Sequence, residues 1–218
     1  MDAAVEADQL SLAGPAGERL AGGISFRVAA GEALVLQAGP EVAAALVRAV
    51  MGIDPPAAGT VRVLGGDPWS GRPGVLAALR ARVGFLPRQS ALLANLTLRE
   101  NLLLPWRFHR AGRGDGAEAT HAALSVFGLD EVPDLRPERV SIGVQRRVAL
   151  ARAILLDPEL LVLHDPLDDL IDEEAAELAA ALARWRAGSA RAILAVTPRQ
   201  GLATALAATT SQVRMVHT

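Results

Sequence analysis

Apolar and polar positions follow different periods along this chain, and the changes of period mark its elements. Val5 to Leu12 and Ile24 to Val28 carry short β-type patterns on either side of a Gly/Pro-rich turn, Ala13 to Gly17. Gly31-Glu32 then opens ALVLQ (33–37), an uninterrupted apolar run of the kind expected for a buried strand. It passes through Gly39-Pro40 into EVAAALVRAVMG, a helix-forming stretch that stops at Gly52. Thr60 to Leu64 is a further strand and Val75 to Arg80 a short helix. Leu98 to His109 and Glu118 to Phe127 are longer helices with the turn AGRGDG (111–116) between them. Leu129 to Arg139 is a charged, Pro-containing loop.

The second half keeps the alternation of strand and helix. Val140 to Pro166 reads VSIGVQRRVALARAILLDPELLVLHDP: a Ser ahead of an Arg- and Ala-rich helix, then Asp157-Pro158, then the apolar strand Leu160 to Leu163. After the acidic loop Leu167 to Asp172 come an amphipathic helix, Glu173 to Trp185, and a buried-type strand, Arg191 to Thr197. A helix over Gln200 to Ala208 and a last strand, Gln212 to Val216, end the chain. Strands alternating with helices predict an α/β fold.

Composition narrows this picture. At 218 residues the chain can bury a sizeable core as one large domain, or as one domain with an inserted subdomain. A net charge of −2 and a pI near 6.1 give no basic footprint for nucleic acid. There is no Cys, which excludes disulfides and thiolate metal sites and suits a reducing cytoplasm. The acidic N-terminus MDAAVEADQL lacks the features of a secretion signal, and no apolar run approaches the ~18 residues that cross a bilayer. There is no Tyr, and all 22 basic Lys/Arg positions are Arg, so chemistry that requires a lysine is excluded.

Two stretches carry a family resemblance. Val140 to Pro166 resembles the signature helix and Walker B strand of ATP-binding-cassette (ABC) proteins, usually LSGGQ, QRVALARAL and an apolar strand ending Asp-Glu-Pro. RVGFLPRQSALLANLTLRENLLLPW (82–106) is similar to the cassette pattern R-x-G-φ-φ-x-Q…L-x-x-N-L-T-V-x-E-N, with φ apolar. The resemblance covers about Val5 to Val216. It implies the ABC-type P-loop NTPase fold: a mostly parallel sheet flanked by helices, with an antiparallel β edge. Residues 1–218 would form one domain, with 1–87 and 145–218 as the α/β core and 88–144 as a helical subdomain. Within the family, NLTLRENLLLPWRFHR most resembles the ATPase of Mla-type phospholipid transporters.

The chemical positions depart from that pattern. A Walker A loop, G-x-x-x-x-G-K-[ST], wraps phosphates with backbone N–H groups, a Lys charge and a Mg²⁺-bound hydroxyl. Here the loop is about two residues short, Ala43, Ala44 and Ala45 stand where Lys and the hydroxyls would be, and Arg48 is the nearest cation. The place of the adenine-stacking aromatic holds Gly14, Pro15, Ala16 and Gly17, where an ordinary hairpin is the plainer reading. Arg88, with Gln89 one step later, takes the position of the Q-loop Gln. His164 replaces the Walker B Asp, Asp165 the catalytic Glu, and Pro198 the switch His. Neither Arg nor His suits hard Mg²⁺. His164 is otherwise a strand-end residue with a satisfied hydrogen bond.

Ser141 and Gly143 keep the signature positions. The resemblance implies a weakened contact to a partner's nucleotide there, and a plain N-cap is the alternative for Ser141. Core packing is the plain reading of Leu102 to Phe108. The resemblance also offers Arg88, Gln89, Leu92, Leu93, Trp106 and Phe108 as a docking face for a membrane permease.

The expectation is thus a catalytically degenerate cassette subunit, a pseudo-ATPase. It would lie on the inner face of the cell membrane, dock on a permease and pair with itself or with an intact ATPase, with lipid as the narrower cargo. No cofactor is expected in this chain. The alternatives are an ATP-hydrolysing subunit with non-standard site residues, which would use ATP and Mg²⁺, and a soluble regulator that kept the fold.

Overall fold

The computed structural model describes residues 3–109, 114–129, 134–199, 201–206 and 208–212. In chain order, β1 (Ala3–Ala13) and β2 (Arg19–Ala29) form a hairpin, β3 (Ala33–Gln37) leads into α1 (Pro40–Val50), and β4 (Ala58–Val63) precedes α2 (Val75–Arg80) and β5 (Val83–Leu86). Then come α3 (Leu98–His109), α4 (Ala117–Val126), a 3₁₀ turn at Pro137–Arg139 and α5 (Ile142–Ile154). β6 (Leu160–His164), α6 (Asp172–Arg186), β7 (Ala192–Thr197), α7 (Leu202–Ala205) and β8 (Thr209–Gln212) complete the order.

Five strands make a sheet in the order β5-β6-β7-β3-β8, every neighbouring pair parallel. The uninterrupted apolar runs follow from its two covered faces. Along β3, Ala33 and Val35 enter one core while Leu34 and Leu36 enter the other. β6 and β7 divide in the same way, with Leu161, Leu163, Ile193 and Ala195 on the first face and Leu160, Val162, Leu194 and Val196 on the second. The first core is closed by α3 to α7. The second is closed by α1 and by the antiparallel strands.

The antiparallel strands form a sheet of their own, ordered β2-β1-β4. The stretch read as Thr60 to Leu64 is strand from Ala58 to Val63. It turns out of the sheet at Leu64, whose φ is +48°. α1 lies against this sheet through Val42, Ala43, Leu46 and Val47, none more than 1% exposed.

α2, α3, α5 and α6 lie where the hydrophobic period puts them. α3 opens with a reciprocal cap: the Glu100 N–H donates to Thr97 Oγ1 at 3.2 Å and the Thr97 N–H to Glu100 Oε2 at 2.8 Å. The C-terminal reading changes more. The helix expected over Gln200 to Ala208 is the single turn Leu202–Ala205, and the last strand starts at Thr209, three residues ahead of the expected Gln212, and is described as far as Gln212. Residues 200, 207 and 213–216 of those readings lie outside the described residues, as do 111–113 of the expected turn and 130–133 of the expected loop. Among the described residues no helix is long and apolar enough to cross a membrane.

Candidate functional site

In an open parallel α/β sheet the ligand crevice lies beyond the C-terminal ends of the strands. The register aligns those ends: Leu86 pairs with Leu163, His164 with Val196, and Gln37 with Thr197. The residues that follow them, Ala38-Gly39, Pro87-Arg88, Asp165 and Pro198, therefore share one edge of the molecule.

Asp165 is the buried centre of this edge, 4% exposed. Its Oδ1 accepts from Thr197 Oγ1 at 2.6 Å, its N–H donates to the Val196 carbonyl at 2.8 Å, and its own carbonyl accepts from Arg146 at 3.0 Å. These bonds hold it at φ +47°, a left-handed conformation that is uncommon outside Gly. Arg88 reaches over from the end of β5. Its Nε donates to Asp168 Oδ2 at 2.8 Å and stands 3.8 Å from Asp165 Oδ2.

Arg146, on α5 and 2% exposed, joins the two loops beneath this contact. It donates to the carbonyls of Pro87 and Arg88 at 3.3 and 2.5 Å, and to those of Asp165 and Asp168 at 3.0 and 3.5 Å. Burial pulls its pKa down; the carboxylates of Asp168, Asp165 and Asp169 oppose that shift. Arg199 fastens the far side through the Leu167 carbonyl at 2.5 Å.

His164 is half-buried beside this cluster, and its burial depresses the imidazole pKa. The Asp165 carboxylate opposes that shift and Arg88 and Arg146 reinforce it. The satisfied hydrogen bond expected for His164 is not found, because among the described residues its ring has no such partner. A neutral imidazole and a guanidinium at the two carboxylates do not fit a Mg²⁺ ion, which takes oxygen ligands. Among the described residues no group of three or more His, Asp or Glu side chains has metal-holding geometry.

The phosphate cradle is also absent in shape. β3 ends at Gln37 and α1 begins at Pro40, so the connection is only Ala38-Gly39. Pro40 at the first helical position has no N–H to offer, and Glu41 adds a carboxylate to the first turn. Ala43 is 1% exposed and packs into the second core, so the position that sequence alignment matched to a phosphate-binding Lys does not face the edge. Arg48 is eight residues into α1, about 12 Å from its start at 1.5 Å per residue. It pairs with Asp54 instead. Gly14 to Gly17 form the tight β1–β2 turn, with the Gly17 N–H donating to the Gly14 carbonyl at 3.0 Å.

At the other candidate phosphate contact, Ser141 is the N-cap of α5, its Oγ accepting from the Val144 N–H at 3.3 Å. Ile142 points outward, 52% exposed. The backbone of Gly143 is covered by Glu174 of α6: a Cβ there would lie 2.2 Å from Glu174 Oε1. A carboxylate of the chain itself thus stands where the helix N-terminus attracts an anion. Pro198 is exposed at the end of β7 and its nitrogen carries no hydrogen to donate.

The docking candidates divide. Arg88, Gln89, Leu92 and Leu93 lie on one loop between β5 and α3. This loop is pinned by side chains that sequence reasoning did not assign to it. Arg152 donates to the carbonyls of Ser90 and Ala91, both at 2.9 Å. Asn101, fully buried, accepts from the Leu93 N–H at 2.6 Å and donates to the Leu93 and Thr97 carbonyls at 3.0 Å and to that of Leu96 at 3.3 Å. Gln89 and Leu93 are exposed, and Leu92 is half-buried against the first core. Trp106 packs on that core and donates to the Gly114 carbonyl at 3.1 Å. Phe108 is 83% exposed.

The profile of the family described as "ABC transporter" matches residues 21–168. The Nod factor export ATP-binding protein I of Paraburkholderia xenovorans is 35% identical over 78% of this chain and 54% of its own length. The lipoprotein-releasing system ATP-binding protein LolD of Geobacter metallireducens is 31% identical over 83% of this chain and 81% of its own. The chain spans about half the length of the Nod factor relatives it matches. Among solved structures, a dimeric post-hydrolysis state of the ATP-binding cassette MJ0796 bound to ADP and Pi superposes with a TM-score of 0.83. It is 21% identical and covers 96% of this chain and 94% of that one. CbiO1 of Clostridium perfringens, described as part of the ABC transporter complex cbiONQ, superposes with a TM-score of 0.78 at 18% identity over 91% and 80%. With the family profile over most of its length, relatives above 30% identity and the cassette architecture, this chain belongs to the ABC transporter family as an ATP-binding cassette domain.

Proposed function

We propose that the chain is a nucleotide-inert cassette, a pseudo-ATPase that serves an ABC transport complex as a scaffold rather than as a motor. The carrying observation is the two-residue passage from β3 to α1, with Pro40 at the first helical position and Ala43 in the core. A phosphate chain needs several converging donors, and each charge-assisted contact contributes about 1.5–3 kcal/mol. Neither a lysine nor a cradle is available here. Arg88 at the carboxylates and Glu174 over Gly143 support the same reading, since each fills with protein a place that would have to open. No cofactor is assigned to this chain.

The partners in this proposal are a membrane permease and a second cassette, either a copy of this chain or an intact ATPase, at the cytoplasmic face of the membrane. Gln89, Leu93 and Phe108 offer exposed side chains on a pinned loop and the helix after it, a firm face for a permease segment. Ser141 and Gly143 would meet the second cassette, with any contact to its nucleotide weakened by Glu174. A lipid-bearing cargo is supported by the likeness to a lipoprotein-releasing subunit.

The test is steady-state ATP turnover with Mg²⁺, combined with purification from native membranes. We expect no turnover above background and a permease retained by the wild-type chain but lost with Phe108→Ser at unchanged Tm. Turnover abolished by Asp165→Asn would contradict the proposal. It would favour a working ATPase built on non-standard residues.

A further inference from the structure

We propose that a cleft at the opposite end of the parallel sheet from Asp165 is a phosphate site, with Arg62 as the cation that holds the ligand. The cleft has a volume of about 850 Å³, within the range of ~300–1,000 Å³ usual for small-molecule sites. Its wall includes Arg82, Glu159 and Arg191, which immediately precede β5, β6 and β7, so it opens at the N-terminal ends of these strands. It shares no residue with the edge that carries Arg88 and Asp165, and it stands whether or not this chain hydrolyses ATP.

The antiparallel sheet supplies Glu6, Arg27 and Arg62 to this cleft. Strand alternation explains why they are together. Val5, Ala7, Val28, Val61 and Val63 are buried in the second core, which leaves Glu6, Arg27 and Arg62 on the other face. The register sets them in one row, with Glu6 opposite Arg27 on β2 and opposite Arg62 on β4. Among the described residues four guanidiniums and three carboxylates line the cleft. Arg82 forks onto Glu159 through Nε and Nη2 at 2.6 and 2.8 Å. Arg191 donates from Nε and Nη2 to Asp157 Oδ1 at 3.0 and 2.7 Å, and from Nη1 to the Trp185 carbonyl at 2.9 Å. These two pairs fix the rim. Arg27 Nη1 donates to Glu6 Oε1 at 2.5 Å, whereas Arg62 is exposed and has no ion pair among the described residues. One carboxylate therefore stands between two guanidiniums, and the row carries an unbalanced positive charge. A guanidinium fork matches the oxygens of a phosphate or a carboxylate. A carboxylate ligand would only repeat Glu6. A phosphate brings up to two charges and more acceptor oxygens, enough to engage Arg62 and to share Arg27 with Glu6.

The test is calorimetric titration of the intact chain with sodium phosphate at constant ionic strength, alongside flotation with vesicles of phosphatidic acid in phosphatidylcholine. Saturable phosphate binding should weaken roughly tenfold in Arg62→Gln, through loss of one charge-assisted contact. It should tighten in Glu6→Gln, which removes the competing carboxylate. Arg72→Gln removes the same charge from an exposed position outside the cleft and should bind like wild type. Flotation lost in Arg62→Gln and kept in Arg72→Gln supports a lipid headgroup as the source of the phosphate, and Arg62-dependent calorimetric binding without flotation supports a soluble one. Absence of Arg62-dependent binding in both arms, or equal weakening by Arg72→Gln, overturns the proposal.

Discussion

Arg146 and Arg88 meet the same two loops, yet replacing them with Met should have very different consequences, because one is buried and the other is half in water. Arg146 is 2% exposed and donates to four main-chain carbonyls, those of Pro87, Arg88, Asp165 and Asp168. An acceptor left buried without a donor costs about 1–3 kcal/mol, and removal of one member of a buried charged network costs about 3–5 kcal/mol overall. Desolvation of the guanidinium, seen in its lowered pKa, offsets part of this, so the lower end is expected for Arg146→Met, about 3 kcal/mol. The Arg88 side chain is 50% exposed, where ion pairs contribute at most about 1 kcal/mol. In urea, with a slope of about 2 kcal/mol per M, Arg146→Met should lower the midpoint by about 1.5 M and Arg88→Met by at most about 0.5 M. The assay is far-ultraviolet circular dichroism at equilibrium, with slopes compared to exclude a change in the unfolded ensemble. Equal midpoints for the two variants would refute the assignment of the load to Arg146.

Two further outcomes follow from the same bonds. Asn101→Leu keeps the branched shape but releases the Leu93 N–H and the carbonyls of Leu93, Leu96 and Thr97, of which water can reach some; a loss of about 2 kcal/mol and faster hydrogen exchange over 93–97 are expected. An unchanged exchange rate there would separate Asn101 from the loop. His164, whose folded pKa lies below its unfolded value of about 6.5, binds protons more readily in the unfolded chain. Its contribution is therefore present above pH 6.5 and is lost progressively as pH falls from there through the lower folded pKa. Urea titrations at pH 7.5 and 5.5 should show a smaller acid loss for His164→Gln than for wild type, and identical losses would contradict the burial effect.

Apart from β5, a four-residue strand the sequence reading did not assign, the element order was legible because the period changes at the boundaries, and the uninterrupted apolar runs of β3, β6 and β7 carry the signature of a sheet covered on both faces. The site was legible only as substitutions. Reading Arg88 as a residue that cannot bind a cation did not reach its partner, because pairing across eighty positions to Asp168 leaves no local trace. Ala43 shows the other limit. The family pattern placed it at a phosphate, whereas in α1, which starts only two residues after β3, the same residue packs into the second core. Asn101 and Arg152 had a signal of a kind, polar residues inside apolar helical stretches, but the carbonyls they hold lie on loops with no pattern of their own. The single-turn α7 failed to match a nine-residue reading because Ala-rich sequence favours helix wherever it occurs, and only packing decides its length.

The central claim is that the β3–α1 turn cannot hold a phosphate chain, and the most direct measurement is titration of the purified chain with a fluorescent ATP analogue in Mg²⁺ buffer. The prediction is no saturable signal through the millimolar range, with Arg48→Ala indistinguishable from wild type. Saturable binding at micromolar concentration, displaced by unlabelled ATP, would contradict it.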